Sequence, residues 1–245
     1  MLTIQKKLVL AAVVERLAEE GECTRTWLKR WVDFSENQVL SAIEFGLDKG
    51  FLQAGSKGGY VDVAKSGFSV QEADYYSCIE AMLSKYYGKR VADLGKFMVA
   101  KTARKDTKIA GRWTRPDFTV VANRTFPYIR QTEFDIMTFE AKRPADCEAL
   151  AVFEALAHNS AATRSYVFFP ITEAELDENP QGERIREECV RHGIGLFLVK
   201  DSFALNEACL LLESQRRPLN PEKCSHFLQQ VLETDELSTL TTWPQ

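Results

Sequence analysis

Two short runs of alternating apolar and polar residues lie near the middle of the chain, and each predicts a β-strand. The first, residues 115–121, carries an acid at Asp117 and continues as Phe-Thr-Val-Val. The second, residues 136–142, places Glu140 and Lys142 on one face and three apolar side chains on the other. If the two strands pair side by side, Asp117, Glu140 and Lys142 converge at one end of a sheet.

Helical and strand patterns flank these runs and predict an α/β (α+β) protein with a mixed central sheet covered by helices. Further strands are predicted over residues 97–100, 165–170 and 194–199. Helices are predicted over 69–88, from Asp146 to about Thr163, over 185–192 and near 221–232. Residues 171–182 are expected to form a loop, and the polar end after the last helix is expected to fray.

The first 66 residues have an organisation of their own. Three helical patterns follow one another, the first ending at Gly21 and the next two capped by Thr24 and Ser35. A hairpin with a glycine-rich tip follows over residues 51–63. Three helices and a hairpin resemble a winged helix-turn-helix domain. We therefore divide the chain into a winged-helix domain (1–66), an α/β domain (67–213) and a C-terminal helix and tail (214–245).

The sequence of the third helix of the first domain does not decide whether the domain binds DNA or protein. Its start offers Glu36, Asn37 and Gln38, and the two amides could pair with adenine in a major groove. The acids of this helix, Glu36, Glu44 and Asp48, would repel DNA phosphates. Contact with DNA, and contact with protein through dimerisation or a partner chain, are both consistent with this sequence.

The convergence of Asp117, Glu140 and Lys142 has a chemical logic. Carboxylate and carbonyl oxygens are the ligands that Mg²⁺ takes in proteins, and the carbonyl of Ala141 lies between the acid and the lysine. A bound metal can activate water and neutralise charge on a phosphate. A neighbouring lysine can orient that water or stabilise an anionic transition state. The alternative is structural, with Asp117 in a turn and the other two side chains on a solvated edge strand.

Pro116-Asp117 followed by Glu140-Ala141-Lys142 resembles the signature of the PD-(D/E)XK (restriction-endonuclease-like) nucleases, and the resemblance extends over about residues 69–203. It implies Mg²⁺-dependent hydrolysis of phosphodiester bonds, with Mn²⁺ able to replace Mg²⁺. It also implies that Asp117, Glu140 and Ala141 hold the metal and that Lys142 assists the nucleophile. In this family the helix before the sheet often adds an acid, for which Glu80 is the first candidate and Glu72 the second.

A basic run leads into Asp117 and predicts a phosphate-binding surface beside the metal site. It contains six bases and one acid, Asp106. The bases are Lys101, Arg104, Lys105, Lys108, Arg112 and Arg115. The resemblance adds Glu154, His158 and Asn159, on the helix behind the second strand, as groups that face the site or the nucleic acid. For His158, a phosphate contact and a half-buried structural role both remain open.

Composition limits the alternatives. The 245 residues carry a net charge of −4, so any surface for nucleic acid must be local. The six cysteines contain no C-x-x-C pair and predict reduced thiols in a cytoplasmic protein. The amino-terminal apolar pattern is broken by charges, and no stretch is long enough to span a membrane.

We therefore predict an Mg²⁺-dependent endonuclease acting on DNA, with RNA not distinguished as a substrate. Two alternatives remain. One is a non-catalytic DNA-binding regulator that keeps only the nuclease-like shell, and the other is a protein-interaction subunit. Neither a P-loop nor a dinucleotide fingerprint is present in the sequence.

Overall fold

The structure is a computed structural model that describes residues 3–65, 67–103 and 115–243. The chain divides into two compact units, Met1–Asp74 and Tyr75–Gln245. Each unit buries its own set of apolar side chains.

The N-terminal unit combines helices with a small antiparallel sheet. Its helices are α1 (Ile4–Glu20), α2 (Arg25–Trp31) and α3 (Glu36–Asp48). Its strands are β1 (Cys23–Thr24), β2 (Leu52–Ala54) and β3 (Tyr60–Val63), in the order β1-β3-β2. The predicted hairpin is confirmed, whereas β1 is too short to give a sequence pattern.

The predicted helix boundaries of this unit are confirmed by their caps. Gly21 ends α1 with a φ of +78°, a conformation that glycine adopts without strain. The Thr24 side chain accepts a hydrogen bond from the Trp27 backbone at 3.1 Å and so starts α2. Ser35 starts α3 in a capping box with Gln38.

The C-terminal unit is a mixed α+β structure built on a six-stranded sheet, which confirms the predicted mixed sheet flanked by helices. The strands are β4 (Gly95–Lys101), β5 (Phe118–Phe126), β6 (Ile129–Ala141), β7 (Arg164–Phe168), β8 (Gly195–Val199) and β9 (Ala208–Leu212). The helices are α4 (Glu72–Val91), α5 (Leu150–Ala157), α6 (Glu173–Glu178), α7 (Gly182–His192), α8 (Pro221–Val231) and α9 (Thr234–Thr241). The strand order is β4-β5-β6-β7-β8-β9. The β6-β7-β8 pairs are parallel and the others are antiparallel.

Helices cover both faces of this sheet. Tyrosines of α4 pack on one face, where Tyr87 meets Phe139 and Tyr86 meets Phe197 edge to face. On the other face, α5, α6 and α7 pack over the β7–β8 half of the sheet, and α8 packs over the half that contains Val121 and Ile136. None of the helices in the described ranges is long and apolar enough to cross a membrane.

Three local predictions were wrong. Residues 171–182, predicted as a loop, contain α6, which starts at a capping box formed by Thr172 and Glu175. Asp146 caps no helix, because it lies in a 3₁₀ turn (Pro144–Asp146) and its carboxylate pairs with Arg143 at 2.6 Å. The polar end of the chain forms α9 instead of fraying, and Trp243 is buried after it.

The helix predicted over residues 69–88 begins three residues later and continues past Gly88 to Val91. A side chain at Gly88 would lie 3.6 Å from the ring of Phe97, an ordinary contact distance. Gly88 therefore sits inside the helix, against the sheet, and does not end it. Strands β5 and β6 are also longer than predicted, because only Pro127 and Tyr128 separate them.

All six cysteines are free, as the sequence predicts. Burial raises the pKa of the Cys147 thiol and of the Cys189 thiol to about 12 in each case. Because the thiolate is the reactive form, we expect neither thiol to be alkylated by iodoacetamide at pH 8 until the protein is unfolded. Mass spectrometry after labelling in buffer and in denaturant checks this, and rapid labelling of either residue in buffer would contradict it.

Candidate active site

The pairing of β5 with β6 brings the predicted site residues to one end of the sheet. Phe118 lies opposite Phe139 in the antiparallel register. Asp117 directly precedes Phe118, and Glu140 directly follows Phe139, so the two acids are cross-strand neighbours. The backbone N–H of Asp117 donates to the Phe139 carbonyl at 2.9 Å and ties the start of one strand to the end of the other.

The carboxylate of Asp117 is buried and held from two directions. Asp117 is only 8% exposed. Oδ2 accepts a hydrogen bond from the Ala141 backbone at 2.8 Å, and Oδ1 accepts one from the Tyr76 hydroxyl at 2.6 Å. These contacts fix the carboxylate against the Glu140–Ala141 peptide and connect it to α4.

Glu140 lies between a lysine and a histidine. Its Oε1 accepts a hydrogen bond from Lys142 Nζ at 2.6 Å, and its Oε2 lies 3.3 Å from His158 Nε2. Burial alone would raise the pKa of Glu140. The hydrogen bond with His158 and the charge of Lys142 outweigh burial, and the pKa lies below its usual value. The group is therefore a carboxylate at neutral pH.

The ammonium of Lys142 is shared by two carboxylates. Besides Glu140, it lies 2.6 Å from Oε2 of Glu154 on α5. Glu154 and His158 are four residues apart and contact this one Glu-x-Lys segment. The helix predicted to run to about Thr163 ends at Ala157, so α5 supplies the acid and the 3₁₀ turn that follows it (His158–Ser160) supplies the histidine.

His158 was predicted as a nucleic-acid contact, and the structure places it against Glu140. The residue is only 3% exposed. Its Nδ1 is buried and has no hydrogen-bond partner in the part of the chain that the structure describes. We infer that His158 orients Glu140, because a side chain so buried offers little surface to a phosphate.

Glu80, predicted as a further metal ligand, lies on α4 one turn after Tyr76 and is half-buried. It forms no hydrogen bond or ion pair with any residue in the described ranges. The α4 side chain that contacts Asp117 is Tyr76, which sequence reasoning did not select. Because Tyr76 lies three residues before Ile79 in the helical apolar pattern, the sequence predicts it only as a core residue. Glu72, the second candidate, lies one turn before Tyr76.

The donor set fits a hard divalent cation. Asp117 and Glu140 offer carboxylate oxygens with two lone pairs each, and Ala141 offers a carbonyl. Within residues 3–65, 67–103 and 115–243, no group of three or more His, Cys, Asp or Glu side chains is arranged to hold a metal. Mg²⁺ is commonly held by one or two carboxylates and keeps several waters, so a third acid is not required.

The structure describes two of the six residues of the basic run. Lys101 ends β4, is exposed, and pairs in register with Phe118, next to Asp117. Arg115 is half-buried and lies two residues before Asp117. Both are therefore near the acids along the chain or across the sheet. Arg104, Lys105, Lys108 and Arg112 lie outside the described residues.

Comparison with known proteins assigns no family. No protein-family model matches the chain, and no curated protein matches it. Among solved structures, the SPO1766 protein of unknown function from Silicibacter pomeroyi is similar, with 15% identity and a TM-score of 0.38. The match covers 71% of this chain and 92% of that one. The chemistry of the site therefore depends on its own geometry.

Proposed function

We propose that this chain is a metal-dependent nuclease of the PD-(D/E)XK type, with a restriction-endonuclease-like core. One observation carries the proposal. The carboxylate of Asp117 and the ammonium of Lys142 contact the same dipeptide, Glu140–Ala141, at 2.8 and 2.6 Å. Two acids, a carbonyl and a lysine thus meet at one end of the sheet, and that combination suits metal-assisted hydrolysis of a phosphodiester.

Each residue of the site has a role in this proposal. Asp117, Glu140 and the Ala141 carbonyl would hold Mg²⁺, or Mn²⁺ in its place. The metal, when bound, supplies a nucleophilic water at neutral pH and neutralises charge on the phosphate. Lys142 donates a hydrogen bond to the attacking water or to a phosphate oxygen.

Two further side chains keep these groups in place. Glu154 shares the ammonium of Lys142 and so restrains where that ammonium can go. His158, buried beside Glu140 Oε2, limits the rotation of the carboxylate. Positioning of this kind is worth much in catalysis, because reacting groups lose little freedom when the substrate arrives.

The proposed substrate is DNA. Lys101 and Arg115 supply positive charge near the acids, and contacts with the phosphate backbone provide most of the non-specific affinity for nucleic acid. The same contacts would serve RNA, so RNA belongs in the test.

Cleavage should require a divalent metal. We expect the purified protein to cut at least one of supercoiled, linear, single-stranded or branched DNA with Mg²⁺ or Mn²⁺, and to cut none with EDTA. Gel electrophoresis of the products measures this, with single-stranded RNA as a parallel substrate. Equal cutting with EDTA, or no cutting of any substrate with either metal, would contradict the proposal.

A second candidate concerns the N-terminal unit, which we propose to be a winged-helix module that contacts protein. The side-chain carbonyl of Gln38 accepts hydrogen bonds from the Ser35 backbone and hydroxyl at 3.0 and 2.7 Å. Reading a base would require breaking this cap. On α2, Trp27 stacks on Trp31 with ring centroids 5.8 Å apart, and Trp31 is 58% exposed. An exposed tryptophan of this kind is typical of protein interfaces.

The two roles of this unit predict different behaviour. If it serves as a protein contact, Trp31→Ala should change the mass measured by light scattering or abolish binding of a partner, while DNA affinity is unchanged. If it contacts DNA, Asn37→Ala should weaken DNA binding, and that binding should fall steeply with added salt. Suppose that Asn37→Ala weakens DNA binding, that Trp31→Ala has no effect on mass or partner binding, and that the protein cuts no substrate. Those results together would favour the non-catalytic DNA-binding regulator.

A further inference from the structure

A cavity of about 100 Å³ lies under the C-terminal half of α4, at the end of the sheet opposite Glu140. Charged and aromatic side chains dominate its lining. Those that carry the argument are Tyr86, Arg90, Arg124, Arg164, Tyr166 and Glu213. All of them belong to the C-terminal unit, and none belongs to the proposed nuclease site.

Two of the three guanidinium groups are already neutralised by acids. Arg124 Nη2 donates to Glu133 at 2.8 Å and to Asp135 at 3.0 Å. Arg164 Nη1 donates to Glu213 at 3.2 Å and to the Ser214 carbonyl at 2.6 Å.

The acid beside Arg164 is also engaged. Oε1 of Glu213 accepts a hydrogen bond from the Tyr166 hydroxyl at 2.5 Å. The acids that line the cavity therefore already accept hydrogen bonds from neighbouring arginine and tyrosine side chains.

The third guanidinium group has no acidic partner. Arg90 forms no hydrogen bond or ion pair with the residues that the structure describes, and its Cζ lies 3.9 Å from the centre of the Tyr86 ring. The cation stacks on an aromatic face, which orients the guanidinium but leaves its N–H groups available. The cavity therefore has a surplus of one positive charge.

Arg90 is exposed, but two other donors at the cavity, the hydroxyl of Tyr86 and Nε of Arg124, are buried without a partner among the described residues. Burial raises the pKa of Tyr86 to about 12, so the hydroxyl keeps its proton. A buried donor without an acceptor is destabilising and rare in native proteins. The two buried donors therefore need an acceptor, and the positive charge of Arg90 beside them favours an anionic one.

We propose that this cavity binds a small oxyanion of the phosphate class. Its unsatisfied groups are donors, and no lining acceptor among the described residues is buried without a partner. A bridging water could accept from the two buried donors, but it carries no charge to match the guanidinium of Arg90. A phosphate can accept from Arg90, Arg124 and Tyr86 together, and guanidinium geometry suits phosphate oxygens. The site is independent of the proposed cleavage chemistry.

Isothermal titration of the full chain with inorganic phosphate tests the proposal, in a buffer without phosphate or sulfate. We expect saturable binding with one site. Arg90→Gln should weaken it roughly tenfold, as expected for loss of a charged hydrogen-bond donor, and Tyr86→Phe about fivefold. Tyr86→Phe retains the ring that packs on Phe197 and beneath Arg90, and removes only the hydroxyl.

Arg184→Gln is the matched control. Arg184 is an exposed arginine on α7 that lines none of the described cavities, so its loss should leave the phosphate affinity unchanged. Circular dichroism of each variant checks that it is folded. No saturable binding to the wild-type protein, or equal affinities in all three variants, would overturn the proposal. Acetate binding as tightly as phosphate would overturn the assignment to the phosphate class.

Discussion

Asp117→Asn should lower Mg²⁺-dependent cleavage by about a hundred- to a thousandfold while leaving the chain folded. The substitution removes a negative charge from the proposed metal site and keeps the size and shape of the side chain. Ala141 and Tyr76 donate to different oxygens of Asp117, and asparagine has an NH2 group in place of one of them, so one of the two hydrogen bonds is lost. We expect the free energy of unfolding to fall by only about 1 kcal/mol, the typical value of one hydrogen bond. Cleavage rate and urea unfolding measured on the same preparation separate the two effects.

Asp146→Asn is the matched control for this substitution. Asp146 also lies near the end of β6 in sequence, but its carboxylate pairs with Arg143 and is partly exposed. The same chemical change there should leave cleavage within about twofold of the wild-type rate, since an exposed ion pair contributes little. A similar loss of cleavage in both variants would indicate a general effect of charge and not a metal ligand.

Lys142→Gln is the second arm of the experiment. It should also abolish cleavage, but with a larger loss of stability, because it leaves Glu140 and Glu154 facing each other without the ammonium between them. Unfolding must therefore be measured beside activity. If Asp117→Asn and Lys142→Gln both cut DNA at the wild-type rate, the catalytic assignment is wrong.

The convergence of Asp117 with Glu140 and Lys142 could be predicted from sequence because strand alternation is a local property. A period of two fixed which side chains share a face. The pairing of the two strands was only a condition of the prediction, because the segment between the predicted runs did not show that two residues, Pro127 and Tyr128, form the turn. The contribution of Tyr76 could not be predicted in this way, and Glu154 was a candidate only through the family resemblance. Both contributions depend on how α4 and α5 pack against the sheet, which the sequence pattern of either helix leaves undetermined.

The fold shows the same division. Where a cap was clear the boundary was predicted correctly, as at the end of α1 and at the start of α3. The missed α6 carried its signal, since Thr172 and Glu175 have capping-box spacing, but the surrounding acids and Pro180 indicated a loop. Strand β9, Ala-Cys-Leu-Leu-Leu, has no alternation. A short apolar run of this kind fits a strand or a helix equally well until its neighbour β8 is known.

A cluster of ionic contacts around Asp135 of β6 was also not predicted. The acid precedes an apolar run, and the sequence does not show which residues contact it. Asp135 is 1% exposed, and its Oδ1 accepts hydrogen bonds from Arg216 Nε and from the Thr163 hydroxyl, each at 2.9 Å. Its Oδ2 accepts from Arg124 Nη2 at 3.0 Å. The three partners come from the segment before β7, from the segment after β9 and from β5. One carboxylate thus connects parts of the chain that are far apart in sequence.

Asp135→Ala should lower the free energy of unfolding by about 3–5 kcal/mol, the usual effect of removing one partner from a buried ion pair. The loss arises because Arg124, Arg216 and the Thr163 hydroxyl would all lose a buried carboxylate acceptor. The half-exposed Glu133 would then be the one acid beside the two arginines among the described residues. Urea unfolding followed by circular dichroism measures the change.

Glu133→Ala is the matched control, since Glu133 pairs with the same two arginines, at 2.8 Å to Arg124 and 3.1 Å to Arg216. The Glu133 side chain is 27% exposed, so its loss should cost no more than about 1 kcal/mol. If the two variants lose equal amounts of unfolding free energy, the burial of Asp135 does not explain its contribution to stability.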